Sequence, residues 1–120
     1  KEPVNRVVFC SGKVYYDLLA ARKSESTQIV RLEQLYPFPY KAITQTIARY
    51  SQANDWVWAQ EEPKNMGSWS FILERLPELL PSGRKLRYAG RLAASSPATG
   101  SQIIHQLEQQ ELVKDALGIA

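Results

Sequence analysis

The chain has 120 residues, of which 44% are hydrophobic and 22% charged, and its 15 basic and 12 acidic residues leave a net charge of +3. This composition belongs to one globular domain and excludes a disordered tail, a collagen-like chain or a low-complexity linker. No apolar run exceeds four residues, against the roughly 20 of a membrane span, and the charge is too mild to mark a nucleic-acid binder by itself. The polar start Lys1-Glu2-Pro3 lacks the apolar stretch of a signal peptide. It also lacks an initiator Met, and Pro3 to Arg6 reads like a linker entering a strand, so residues 1–120 are expected to be one domain of a longer polypeptide. The lone cysteine, Cys10, closes no internal disulfide, which suits a reducing compartment.

Arg6 to Cys10 (RVVFC) reads as a buried strand, and Ser11-Gly12 turns the chain. Val14, Leu18 and Ala21 then recur at helical spacing, with Ser11 or Gly12 as the expected N-cap and Asp17 near the helix start. Gln28 to Leu32 is the second predicted strand. Pro37 and Pro39 rule out a regular ladder just beyond it. A helix over about Lys41 to Tyr50 follows, with Ile43, Ile47 and Tyr50 on one face. Asp55 to Gln60 is a third strand and Glu61 to Gly67 a loop. Trp69, Ile72, Leu73 and Leu76 give a third helical face, which Pro77 kinks or ends. Lys85 to Gly90 is a fourth strand, alternating Leu86 and Tyr88 against Arg87 and Ala89. A final helix is expected from about Ser101 to Leu117, stopped by Gly118. Strands alternating with helices predict an α/β fold in three layers, a mostly parallel sheet with helices on both faces. The strands are apolar runs, as suits burial on both sides.

Candidate sites each have a plain structural reading. Cys10-Ser11-Gly12-Lys13 sits at a strand-to-helix turn but lacks P-loop spacing, and Cys10 reads as a buried thiol. Glu61 and Glu62 are adjacent on a strand end and point to opposite faces, a poor arrangement for two-carboxylate chemistry. His105 has no Ser or Cys elbow nearby, and no His/Cys/Asp/Glu cluster has metal-ligand spacing. Arg84, Lys85, Arg87 and Arg91 precede a loop with Ser95, Ser96, Thr99 and Ser101 that leads into a helix N-terminus. Those residues are candidates either for holding an anion or for interface and surface ion pairs, with Arg87 and Arg91 also able to meet Glu61 or Glu62 across neighbouring strands. In the final helix, Ile103, Ile104 and Leu107 form one stripe and Val113, Ala116 and Leu117 another, with Gln110 and Lys114 between them. Such a broken face suggests docking onto another domain or subunit. The aromatic residues are not interleaved with Lys and Arg as on a nucleic-acid platform.

Four motifs, FCSGKVYYDL (Phe9 to Leu18), RLEQLYPFP (Arg31 to Pro39), WAQEEPKNMGSW (Trp58 to Trp69) and RYAGRLAASSPATG (Arg87 to Gly100), occur in this order. With the terminal helix they resemble the C-terminal domain of the decarboxylase component of 2-oxoglutarate dehydrogenase, over essentially the whole chain. EQLYPFP and RYAGR look most like its bacterial members. The chain departs from the family at Met66, where Gln is frequent, and at Leu92, where Pro is.

The resemblance implies a transketolase C-terminal-like fold of about five strands, one antiparallel; the fifth is expected near Arg91 to Ala94. It implies a homodimeric parent enzyme that uses thiamine diphosphate and magnesium to decarboxylate 2-oxoglutarate and passes the succinyl group to a lipoyl arm. It also implies contact with the enzyme's other domains, with a second copy and with the acyltransferase core, and a bacterial cytoplasmic or mitochondrial matrix location. No catalytic or cofactor-binding residue carries over to this chain, which has no GDG-type diphosphate motif; Glu61, Glu62, Asn65 and Gly67 carry over only as a structural loop. Three rival readings stand beside it: a regulatory module for an anion, nucleotide or acyl-CoA, an independent enzyme of flavodoxin-like form, and the equivalent domain of a 2-oxoadipate dehydrogenase.

Overall fold

The computed structural model describes residues 3–93 and 102–119. In chain order it contains β1 (Arg6–Cys10), α1 (Val14–Ala21), β2 (Thr27–Arg31), α2 (Tyr40–Arg49), β3 (Asp55–Pro63), α3 (Trp69–Arg75), a 3-10 turn (Pro77–Leu79), β4 (Leu86–Arg91) and α4 (Gln102–Leu117). The strands of the described residues form one sheet in the order β2-β1-β3-β4, with every neighbouring pair parallel. The antiparallel fifth strand is not found among them. Arg91 ends β4, Leu92 and Ala93 lie outside any strand, and Ala94 lies outside the described residues.

Handedness places the helices. A parallel crossover is right-handed, so the step from β1 to β2 and the opposite steps from β2 to β3 and β3 to β4 put their helices on opposite faces. One core joins Val7, Phe9, Trp56 and Trp58 to Ile43 and Ile47 of α2 and to Trp69 and Ile72 of α3. The other joins Val8, Cys10, Val57, Ala59 and Ala89 to Val14 and Leu18 of α1 and to Val113, Ala116 and Leu117 of α4. Alternate residues of β1 and β3 thus feed both cores, which is why these strands read as unbroken apolar runs.

Several local expectations shift. The α1 N-cap is Lys13, without a side-chain cap, and Gly12 makes the turn at φ +83°. β2 begins at Thr27 and β4 ends at Arg91, each displaced by one residue from the expected span. β3 runs on through Glu61 and Glu62 to Pro63, past an irregularity after Gln60. Leu73 is exposed, because the stripe of α3 is set by Trp69, Ile72 and Leu76 and Leu73 lies off it. Pro77 does end α3, opening the 3-10 turn.

Candidate functional site

The strand order reverses between β1 and β3, so the carboxyl ends of these strands form the switch point of the sheet, where open α/β folds place ligands. The residues there build a polar cluster around Arg91. Its side chain is only 8% exposed. It donates to the Glu61 carbonyl, the Glu108 carboxylate at 3.1 Å, the His105 carbonyl at 3.2 Å and Gln109 Oε1 at 3.0 Å. The spacing of His105, Glu108 and Gln109 puts all three on one face of α4. Gln109 Nε2 reaches Asp17 at 2.8 Å and Glu61 at 2.9 Å, and Lys13 Nζ pairs with Glu61 at 2.7 Å. The hydrogen bond that Lys13 donates to the Glu61 carboxylate raises the pKa of Lys13. One cluster therefore ties β3, β4, α1 and α4 together.

A second ion-pair group lies at the opposite end of the strands, at the amino ends of β1, β3 and β4. Asp55, first in β3, accepts from Arg6 Nε at 2.7 Å and from Arg87 Nε and Nη2 at 3.1 Å each. Arg87 also pairs with Asp115 of α4 at 3.1 Å. Burial works to raise the pKa of Asp55, but the hydrogen bonds and charges of Arg87 and Arg6 outweigh it and hold the carboxyl below its ordinary value.

The four basic residues are not gathered into one anion site. Arg84 Nε donates to the Ala53 carbonyl at 3.1 Å and Lys85 is exposed, both before β4. Arg87 and Arg91 lie four residues apart on one face, about 13 Å along the strand, and each is turned inward to its own partners. Arg91 meets Glu61 through the backbone carbonyl, whereas Arg87 goes to Asp55 and Asp115. Ser95, Ser96, Thr99 and Ser101 lie outside the described residues.

At the end of β3, Glu61 belongs to the Arg91 cluster while Glu62 is exposed and stands beside Gly67 of the following loop. Asn65 lies in the turn between them. Gly67 has φ +67°, and a Cβ there would come 3.0 Å from Glu62 Oε1. The residue that organises this loop is Gln60, buried at the end of the apolar run. It accepts from Trp58 Nε1 at 2.8 Å, and its amide lies 2.9–3.1 Å from the carbonyls of Glu62, Pro63 and Met66. Nothing in the sequence marks Gln60, Gln109, Arg6 or Asp55 as site residues; the available signal was a polar residue closing a buried strand just before a Gly-containing turn.

Among the described residues no group of three His, Cys, Asp or Glu side chains could hold a metal ion. Burial pushes the Cys10 thiol up to about 12, against a smaller downward pull from Arg31, which makes it a poor nucleophile. Among the described residues no helix is long and apolar enough to cross a membrane.

A family model described as 2-oxoglutarate dehydrogenase C-terminal matches residues 1–117. The mitochondrial 2-oxoglutarate dehydrogenase of Caenorhabditis elegans is 50% identical over 97% of this chain. The 2-oxoglutarate dehydrogenase E1 components of Haemophilus influenzae and Cupriavidus necator are 46% and 47% identical over 95% and 94% of it. The chain spans about 12% of the length of each of these curated relatives.

Proposed function

The chain belongs to the 2-oxoglutarate dehydrogenase C-terminal family, and from that premise we propose that it is the assembly domain of an enzyme that oxidatively decarboxylates 2-oxoglutarate with thiamine diphosphate and magnesium and transfers the succinyl group to lipoyl arms. The domain supplies no reacting group. It presents a docking face to the enzyme's other domains, to a second copy in a homodimer, and to the acyltransferase core. The compartment is the bacterial cytoplasm or the mitochondrial matrix; the similar proteins include both bacterial enzymes and one named mitochondrial.

The observation that carries this reading is the division of α4. Leu112, Val113, Ala116 and Leu117 are buried on the sheet, while Ile103, Ile104 and Leu107 are 69%, 51% and 56% exposed. A helix that spends half its apolar residues on its own core and leaves the other half in water fits an interface. The test is a Leu107→Glu substitution in the full-length enzyme. Sedimentation is expected to show a loosened assembly and the overall rate to fall, while the 120-residue chain bearing the same change keeps its unfolding midpoint. An enzyme that assembles unchanged would overturn the docking role. Separately, the purified 120-residue chain is expected to release no carbon dioxide from 2-oxoglutarate with thiamine diphosphate and magnesium; release would overturn the assignment of the chemistry to other domains.

A further inference from the structure

β2 is an edge strand, and its outer rim is guarded at one end only. The ladder to β1 is fixed by Arg6 N–H on the Ser26 carbonyl at 3.1 Å and Leu32 N–H on the Cys10 carbonyl at 2.8 Å. In a parallel pair the backbone groups of alternate residues face the neighbour, so residues 26, 28, 30 and 32 turn to β1 while Thr27, Ile29 and Arg31 turn outward. The chain itself covers Thr27, whose N–H meets the Ser24 carbonyl at 3.3 Å and whose carbonyl accepts from Arg22 Nη1 at 3.2 Å. Among the described residues nothing caps the outward N–H and carbonyl groups of Ile29 and Arg31. Such a free edge is a template for another strand.

A groove of about 400 Å³ runs along this open stretch, with Tyr15 of α1 and Arg31 among its walls on one side and Thr46, Arg49 and Tyr50 on the other. The two sides of the groove carry one guanidinium each, Arg31 and Arg49. Arg31 lies over the rings of Tyr15 and Tyr16, at 5.7 and 5.2 Å from their centroids, and donates to the Tyr16 hydroxyl at 3.1 Å. That holds it in place, yet its Nε is buried from water with no partner. Arg49, in the last turn of α2, forms no ion pair among the described residues. Glu33 is the acidic residue in the wall.

We propose that this edge binds an extended acidic segment of a partner polypeptide as an added strand. Backbone pairing to Ile29 and Arg31 gives the register. Successive side chains of an extended segment point to opposite faces, so two adjacent acidic residues place one carboxylate against Arg31 on the α1 face and the next against Arg49 on the α2 face. The inference is independent of the reading of α4 above, since β2 and the first half of α4 are different surfaces.

The test is a nuclear magnetic resonance titration of the 120-residue chain with the blocked peptide acetyl-Thr-Val-Glu-Glu-Val-Thr-amide. The amide signals of Ile29 and Arg31 are expected to shift and their hydrogen exchange to slow. Arg31→Gln and Arg49→Gln are each expected to weaken binding about fivefold. The same peptide with N-methylated backbone amides is expected not to bind, which tests strand pairing without altering the protein. The proposal is overturned if Ile29 and Arg31 stay unchanged at millimolar peptide. It is equally overturned if the N-methylated peptide or free succinate gives the same shifts, since either result means an anion pocket without an added strand.

Discussion

Arg91 is the side chain whose removal should cost most. It is nearly buried and ties β4 to both β3 and α4 through charge-assisted contacts, so Arg91→Met leaves a carbonyl and an amide oxygen without their donor and Glu108 without its countercharge. Glu108 is 42% exposed and stays hydrated, so the cost is that of the lost charge-assisted hydrogen bonds, about 3 kcal/mol. The expected result is a lower urea midpoint with an unchanged slope. At the amino end of the strands, Asp55 gives an acid-sensitive contribution. Its folded pKa lies below the ordinary value of about 3.9, so its stabilisation is complete above that value and is lost as pH falls through the folded pKa. Asp55→Asn is expected to be the less stable protein at pH 7, with the gap to wild type closing below pH 4; a gap that stays constant down to pH 2 would refute the role of the carboxylate. Arg91 stands out in the sequence as part of the basic cluster, whereas Asp55 does not. Arg6 and Asp55 lie 49 positions apart, and a charge at a strand end ordinarily reads as solvated until the register of β1 against β3 brings the two together.

At the level of elements, the strands were legible because two-sided burial leaves a continuous apolar run that punctuation by Gly, Pro and polar clusters then delimits. β1 is read residue for residue over Arg6–Cys10. β3 is not: its last residues, Glu61 to Pro63, look like a loop because two carboxylates and a proline oppose a central strand, and they are carried by the pairing with β4 and by the amide of Gln60. α4 was legible as a helix and as a divided one, but Leu112 escaped the stripe because Gln110 and Lys114 flank it. That omission yields a sharp contrast. Leu112 is 3% exposed and packs in the α1–α4 core, so Leu112→Ala is expected to destabilise the chain by about 3 kcal/mol. Leu107→Ala, on the bare half of the same helix, is expected to stay within about 0.5 kcal/mol. Chemical denaturation of the two variants side by side measures both. Equal losses would mean that Leu107 packs against this chain after all, and the docking reading of α4 would lose its support.

For the whole molecule the question is whether two cores on opposite faces of one sheet behave as one. The sheet argues that they do. β1 and β3 are its two central strands, and each contributes alternate residues to both sides, so neither core can open without dismantling the strands on which the other is built. This arrangement comes with its own reporters. Trp56, Trp58 and Trp69 all sit in the core beneath α2 and α3, whereas Cys10 sits in the core beneath α1 and α4, where burial holds its thiol near 12 and out of reach of alkylating reagents. Tryptophan fluorescence and pulsed thiol labelling across a urea series therefore report opposite faces of the same sheet. A single cooperative unit requires the two curves to coincide, and Leu112→Ala, made only on the Cys10 side, to move both midpoints by the same amount. If Cys10 becomes reactive at lower urea than the tryptophans lose their burial, α4 peels from the sheet as a separate unit. In that event the helix end that carries Ile103, Ile104 and Leu107 would be held in place by what it docks against, and not by the sheet alone.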